Sequence, residues 1–90
     1  MRFEWDASKA AKNFPKHGIS FSEAVTVFDD PLAVTGSDPD HSETEERLIT
    51  FGTSSDGQLL VVSHAERGET IRIISARETT PRERQIYEEG

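Results

Sequence analysis

The sequence predicts a single α+β domain in which an antiparallel sheet packs with two N-terminal helices and one C-terminal helix. One short alternating segment comes first, followed by two helical patterns, four β-prone segments and a last helical pattern. Turn signals separate the later β-prone segments, which favours a meander of neighbouring strands. A chain of 90 residues suits one modest core, so we treat residues 1–90 as a single domain.

The first strand and helix are predicted from local patterns. Arg2–Trp5 alternates apolar and polar residues, as a short strand does. Asp6 is a good N-cap, and residues 9–12 are strong helix formers. Pro15 and Gly18 are expected to end this helix or kink it near its end.

A second helix begins at Ser20, which forms a capping-box pattern with Glu23. Its core stripe is predicted at helical spacing and comprises Phe21, Ala24, Val25 and Phe28. Asp29–Pro31 ends the helix, residues 32–35 read as a short strand, and residues 36–45 read as a polar, acidic loop.

The second half reads as three strands joined by two tight turns. Residues 47–53 and 59–65 are β-prone and flank residues 54–57, where a glycine supplies the positive φ of a hairpin. A second hairpin is expected at Gly68, and residues 70–77 form the returning strand. Strict alternation along that strand places Arg72 and Arg77 on opposite faces.

The last helix is predicted from Thr79 or Thr80 as its cap and Pro81 at its first position. It runs through Arg82, Arg84 and Tyr87. Arg82 fits two roles. It is either a contact to an anionic ligand or, like Arg84, an exposed helix charge that pairs weakly with neighbouring glutamates.

The charge balance argues against a general nucleic-acid coat, because the net charge is −7. Residues 1–46 hold four Lys or Arg against ten Asp or Glu, whereas residues 47–90 hold six against seven. A local basic site is therefore expected mostly from the second half. No cysteine is present, which fits a reducing cytoplasm, and no apolar run is long enough to span a membrane.

Six motifs in order along the chain resemble the BrnT toxin family. The segments that carry the resemblance are Phe3–Asp6, Lys16–Phe21, Phe28–Pro31, His41–Glu43, Glu45–Arg47 and Ile71–Arg77. They span almost the whole chain. The resemblance implies a RelE-like fold, ribonuclease activity and the toxin role in a type II toxin–antitoxin pair. It also implies a BrnA-like antitoxin that binds DNA through a ribbon-helix-helix fold.

Candidate catalytic and binding residues follow from the chemistry of RNA cleavage without a metal. Arginine holds phosphate oxygens through its planar fork, and histidine transfers protons near neutral pH. The candidate catalytic residues are His64, Arg67, Arg77, Arg82 and Tyr87, and the candidate RNA-binding residues are Arg47 and Arg72. Of the arginines near the last helix, Arg77 is favoured for stabilising transition-state charge.

Each candidate also has a structural interpretation. His64 alternates with Leu60 and Val62, so it is either catalytic or a buried strand residue. Arg67 is either a phosphate ligand or a solvated turn residue. Arg47 is either a phosphate contact or a loop ion pair, and Tyr87 is either an acid, a stacking platform or a core residue.

Two further clusters are read as structural rather than chemical. Residues 16–18 are expected to end a helix, with cations near its C-terminal dipole. The acidic side chains around His41 lack the ligand spacing of known metal sites, so we expect neither a metal nor a cofactor there. The loop is either a solvated acidic surface or one whose charge receives a basic segment of a partner. Apart from the resemblance, a non-catalytic binding module remains the alternative function.

Overall fold

The computed structural model describes residues 1–38 and 46–90. The helices are α1 (Ala7–His17), α2 (Phe21–Val25) and α3 (Pro81–Glu89), with a 3₁₀ helix (Thr26–Asp29) directly after α2. The strands are β1 (Arg2–Trp5), β2 (Val34–Ser37), β3 (Arg47–Thr53), β4 (Leu59–Arg67) and β5 (Thr70–Glu78). Within the described ranges, no helix has the length and apolarity needed to cross a membrane.

The five strands form one mixed sheet in the order β1-β5-β4-β3-β2. Strands β2 to β5 form the predicted antiparallel meander. The prediction of a wholly antiparallel sheet is wrong at one edge, because β1 pairs with β5 in parallel. The two N-terminal helices carry the chain away from β1 to the far edge of the sheet, and this long connection lets β1 pair with a strand distant in sequence.

The predicted starts of the three helices and the end of α1 at Gly18 are confirmed, whereas α2 ends at Val25 and a 3₁₀ helix continues to the predicted end at Asp29. The Asp6 carboxylate accepts hydrogen bonds from two amides of the first turn of α1, and the Ser20 hydroxyl caps α2. Gly18 ends α1 in the left-handed conformation, with φ of 72°. Pro15 lies inside α1 without ending it. The cap of α3 is Thr80, which forms a full capping box.

The predicted strand at residues 32–35 begins two residues later, at Val34. The cause is Asp30, whose carboxylate accepts a hydrogen bond from the Leu32 amide at 2.9 Å and holds the chain in a turn. Leu32 is therefore 70% exposed instead of packing in the sheet. A carboxylate in the preceding loop thus decides where β2 starts.

The core lies between one face of the sheet and the helices α1 and α2, and we call this side of the sheet the helix face. The buried core residues are Ile19, Phe21, Ala24, Val27, Leu60, Val62, Ile71, Ile73 and Ala76. Phe3 packs against them from β1, with its ring 5.3 Å from that of Phe28. The core stripe predicted for the second helix is confirmed, with Val25 and Phe28 partly buried beside it.

Asn13 fixes α1 against the part of β5 that extends beyond the end of β1. It is 7% exposed, and its amide nitrogen donates to the carbonyl oxygens of Ile19 at 3.0 Å and Ala76 at 2.9 Å. Its amide oxygen accepts from the Ala76 amide at 3.2 Å. The side chain therefore pairs with β5 as a neighbouring strand would, and satisfies a buried sheet edge.

We expect Asn13→Ala to lower the free energy of unfolding by about 3 kcal/mol, because it leaves three buried backbone groups without their partner. Alanine is the better helix former, so helix propensity alone predicts the opposite sign. Denaturant unfolding measures the change. The control is Ser8→Ala, an exposed substitution on the same helix that we expect to stay within about 0.5 kcal/mol. Equal stabilities for the two variants would contradict the anchoring role of Asn13.

Candidate functional site

The sheet face opposite the helix face collects every arginine that lies in a strand. The strand register places Arg72 beside Ala65, and Ala65 beside Arg47. It also pairs both Arg2 and Arg67 with Thr70. Because paired residues share a face of the sheet, these side chains project to the same side. We call this surface the arginine face, and its arginines are Arg2, Arg47, Arg67, Arg72 and Arg77.

A β-bulge brings Arg77 onto this face. Ser63 pairs with Ser75 and His64 pairs with Ile73, so Ile74 is an extra residue in β5. The expectation that Arg72 and Arg77 leave on opposite faces is therefore wrong. Strict alternation fails at the bulge, and both arginines project away from the helix face.

The centre of the arginine face is a short row of side chains across three strands. Arg47 and Arg72 flank Ala65, which is completely buried. Two strand spacings separate the backbones of the arginines by about 10 Å. Glu4 pairs with Arg72 in the register and is the one carboxylate that the described strands place on this face. Cations and a carboxylate side by side are the groups that phosphate transfer needs.

Arg77 lies beside α3, as the sequence predicts, and its guanidinium is already occupied. Its two terminal nitrogens donate to the two carboxylate oxygens of Glu83 at 2.7 and 2.8 Å. This pairing lowers the pKa of Glu83 to about 2 and raises the pKa of Arg77. Glu83 also belongs to the capping box of α3. Arg77 therefore anchors the start of α3, and its catalytic role stays a prediction.

Tyr87 anchors the other end of α3. Its hydroxyl donates to the Asp30 carboxylate at 2.6 Å and accepts from the Thr53 hydroxyl at 3.3 Å. The hydrogen bond to Asp30 raises the pKa of Tyr87, and hydrogen bonds from the Thr53 amide and from Tyr87 lower the pKa of Asp30. Tyr87 is half-buried, and no residue of α3 is fully buried. Arg82 lies exposed on this helix.

His64 lies on the helix face, away from the arginines. It is 1% exposed, its Nε2 is 2.7 Å from the Thr50 hydroxyl, and its ring meets that of Phe28 edge-on at 5.0 Å. Its Nδ1 has no hydrogen-bond partner among the described residues. Burial lowers its pKa from 6.5 to about 4. The geometry matches the predicted buried strand residue and does not bring His64 together with Arg67, Arg72 or Arg77.

The acidic loop lies mostly outside the described residues, which exclude Asp40, His41, Glu43 and Glu45. In the part of the chain that the structure describes, no group of three or more His, Asp or Glu side chains is placed to hold a metal ion. The predictions of a solvated loop and of no metal remain predictions.

Two residues of structural interest, Glu4 and Asn13, were not among the predicted candidates, although the sequence contains a signal for each. Alternation through Arg2–Trp5 already set Glu4 apart from Phe3 and Trp5, which face the core side. Asn13 stands three residues after the half-buried Ala10, on the inner side of α1. A polar residue at such a position calls for a buried partner.

Comparison with known proteins identifies the class to which this fold belongs. Residues 5–83 match the family of BrnT ribonuclease toxins of type II toxin–antitoxin systems. The chain belongs to the BrnT family. Proteins of this class act as one half of a toxin–antitoxin pair, so an antitoxin partner is implied.

A solved structure shows the same fold. It is the 1.1 Å crystal structure of the Brucella abortus ribonuclease toxin BrnT, which has 23% sequence identity and a TM-score of 0.65. The similarity covers 89% of this chain and 97% of that one. A comparison with curated protein sequences gives no significant match.

Proposed function

We propose that this chain is a metal-independent endoribonuclease toxin and that the arginine face is its RNA site. The observation that carries the proposal is the gathering of all five strand arginines on one face, in a protein of net charge −7. An acidic protein gains nothing in stability from clustering like charges. A polyanionic substrate explains the cluster.

The reaction uses the 2′-hydroxyl of the RNA as nucleophile. A base removes the hydroxyl proton, the 2′-oxygen attacks phosphorus, and the bond from phosphorus to the 5′-oxygen breaks as that oxygen takes up a proton. The products are a 2′,3′-cyclic phosphate and a 5′-hydroxyl. In the transition state, extra negative charge develops on the non-bridging phosphate oxygens, and fixed cations stabilise this charge.

In this proposal Arg72 and Arg47 hold the reacting phosphate, and the support is that they flank the buried Ala65 at the centre of the face. Glu4 accepts the proton of the 2′-hydroxyl in this proposal, and the support is its pairing with Arg72 in the strand register. Arg67 extends the cationic surface at the hairpin end. The burial of His64 on the other face favours a structural role for that residue over the catalytic role predicted from the sequence.

The partner in this proposal is a BrnA-like antitoxin with a ribbon-helix-helix fold. The complex contacts DNA only through this antitoxin. It neutralises the toxin by covering the arginine face, so that RNA cannot reach Arg47 and Arg72. The free toxin acts in the cytoplasm, where it cuts RNA and inhibits translation. The support is the membership in a family of ribonuclease toxins of type II toxin–antitoxin systems.

We expect the partner-free protein to cut RNA at an undiminished rate in excess EDTA, because arginines supply the charge stabilisation that a metal ion supplies elsewhere. The same assay distinguishes the nucleophile. An RNA with 2′-deoxyribose at the cleaved position should resist cleavage, and the products of normal RNA should carry 2′,3′-cyclic phosphates. Cleavage that stops under chelation and returns with a divalent ion would contradict the metal-free mechanism.

A further inference from the structure

A groove runs between α1 and the bulged part of β5. Its walls are formed by three lysines and a histidine of α1 on one side and by two residues of β5 on the other. The lining residues are Lys9, Lys12, Lys16, His17, Ile74 and Ser75, with the buried Asn13 between the two elements. Because the Asn13 side chain bonds directly to β5, the spacing of the groove walls is fixed.

The charge of this groove differs from that of the rest of the protein. Helix α1 contains three lysines and no acidic residue, although the whole chain has a net charge of −7. The lysines are exposed and recur at spacings of three and four residues, so they form one stripe along the helix. The helix dipole explains cations in the last turn, such as Lys16, but not Lys9 near the first turn.

The groove opens onto the arginine face. Ser75 lines the groove and also projects to the arginine face, since it pairs with Ser63 after the bulge. Asp6, the cap of α1, provides a second link. Hydrogen bonds from the amides of Lys9 and Ser8 lower its pKa, and the charges of Lys9 and Arg72 lower it further, so both cations lie near the same carboxylate. Ser75 therefore joins the groove to the arginine face, and the Asp6 carboxylate lies near Lys9 of the groove and Arg72 of that face.

We propose that the groove holds the phosphate backbone of a single RNA strand and leads that strand onto the arginine face. The proposal rests on the proposed ribonuclease function and assigns Lys9, Lys12 and Lys16 as substrate-positioning residues. From Lys9 to Lys16 the helix rises about 10 Å. That length is roughly three nucleotide steps at ~3.4 Å each, so the three lysines span enough of the strand to reach several successive phosphates.

The test is binding of a short RNA that carries 2′-O-methyl groups throughout and cannot be cut. We expect the triple variant Lys9→Gln, Lys12→Gln, Lys16→Gln to bind it roughly tenfold or more weakly at moderate salt. The slope of log Kd against log salt concentration should fall by about 2, since each phosphate contact on a single strand contributes ~0.7. With cleavable RNA, KM should rise while kcat stays close to its original value.

Two controls separate local charge from total charge. The triple Lys→Arg variant at the same positions keeps the charge and should bind with an unchanged salt slope. Arg84→Gln removes one charge from α3, which contributes no residue to the groove lining, and should leave the slope nearly unchanged. Single Lys12→Gln, which removes the same charge from the groove, should lower the slope by about 0.7.

The possible outcomes separate a failure of the groove assignment from a failure of the proposed function. If the original chain neither cuts nor binds RNA, the proposed function fails and the groove assignment fails with it. If the chain cuts RNA but the triple Gln variant keeps its Kd and salt slope, the groove assignment alone is overturned. Unchanged RNA binding with weakened binding of the antitoxin would also overturn it, and would make the groove a protein-binding surface.

Discussion

Arg72→Ala should lower the rate constant of RNA cleavage by roughly two to three orders of magnitude, the usual effect of losing one positioned electrostatic donor. Arg72 is the central test because it lies next to Glu4 and across Ala65 from Arg47. Arg77 is a less direct test, since its terminal nitrogens are held by Glu83. Single-turnover kinetics with saturating protein report the chemical step without the contribution of RNA affinity.

Arg72→Lys should restore only part of the rate, because the ammonium group keeps the charge but loses the planar fork. The matched control is Arg84→Ala, which removes the same charge from α3 and should cut RNA at nearly the original rate. Circular dichroism and thermal unfolding show whether the variants remain folded. A folded Arg72→Ala protein that cuts RNA at the original rate would remove Arg72 from the site.

The role of Glu4 is tested in the same assay. If its carboxylate accepts the proton of the 2′-hydroxyl, Glu4→Gln should lower the cleavage rate constant and flatten the rise of the rate on the acid side of the pH profile. A structural role predicts a different result, in which the rate falls but the shape of the pH profile stays the same.

Acidification from pH 7 to pH 5 should lower the free energy of unfolding by about 2 kcal/mol through His64 alone. The unfolded chain protonates this ring below pH 6.5, whereas the folded chain keeps it neutral until about pH 4, because the ring is buried between Thr50 and Phe28. In the folded chain the pKa values of Asp6, Asp30 and Glu83 lie below their usual values of 3.8, 3.8 and 4.5. Protonation of these carboxyls therefore lowers the free energy of unfolding further at lower pH.

Denaturant unfolding at several pH values measures this dependence. His64→Gln should unfold with a much smaller change between pH 7 and pH 5, while His17→Gln, at the end of α1, should keep the original dependence. Should His64→Gln fail to fold, the ring protons of His64 in the original chain can be titrated by NMR. A titration midpoint near 6.5 for that ring would contradict the burial effect.

Local signals in the sequence were enough to predict most of the elements. The caps at Asp6, Ser20 and Thr80 and the turn at Gly68 each depend on residues within a few positions of one another. Their physics is contained in short segments, so a single sequence reports it. The parallel pairing of β1 with β5 depends instead on residues about 68 positions apart, such as Arg2 and Thr70.

The candidate site was harder to predict because the register of the strands determines which of its residues lie on the same face of the sheet. Four of the five arginines of the arginine face were among the predicted candidates, and Arg2 was not. The bulge at Ile74 leaves no mark in the local composition, and alternation therefore assigned Arg77 to the wrong face. His64 shows the opposite case. Its alternation with Leu60 and Val62 correctly grouped it with the core, although its side chain suits catalysis.

The bulge at Ile74 also makes β5 resistant to slippage. If β5 shifted by one residue to remove the bulge, Ala76 would leave the core and the guanidinium of Arg77 would enter it. Burying that cation without a partner costs several kcal/mol, and the two hydrogen bonds between Asn13 and the Ala76 backbone would be lost as well. The charged residues of the proposed RNA surface thus also penalise misalignment of the strand that carries them.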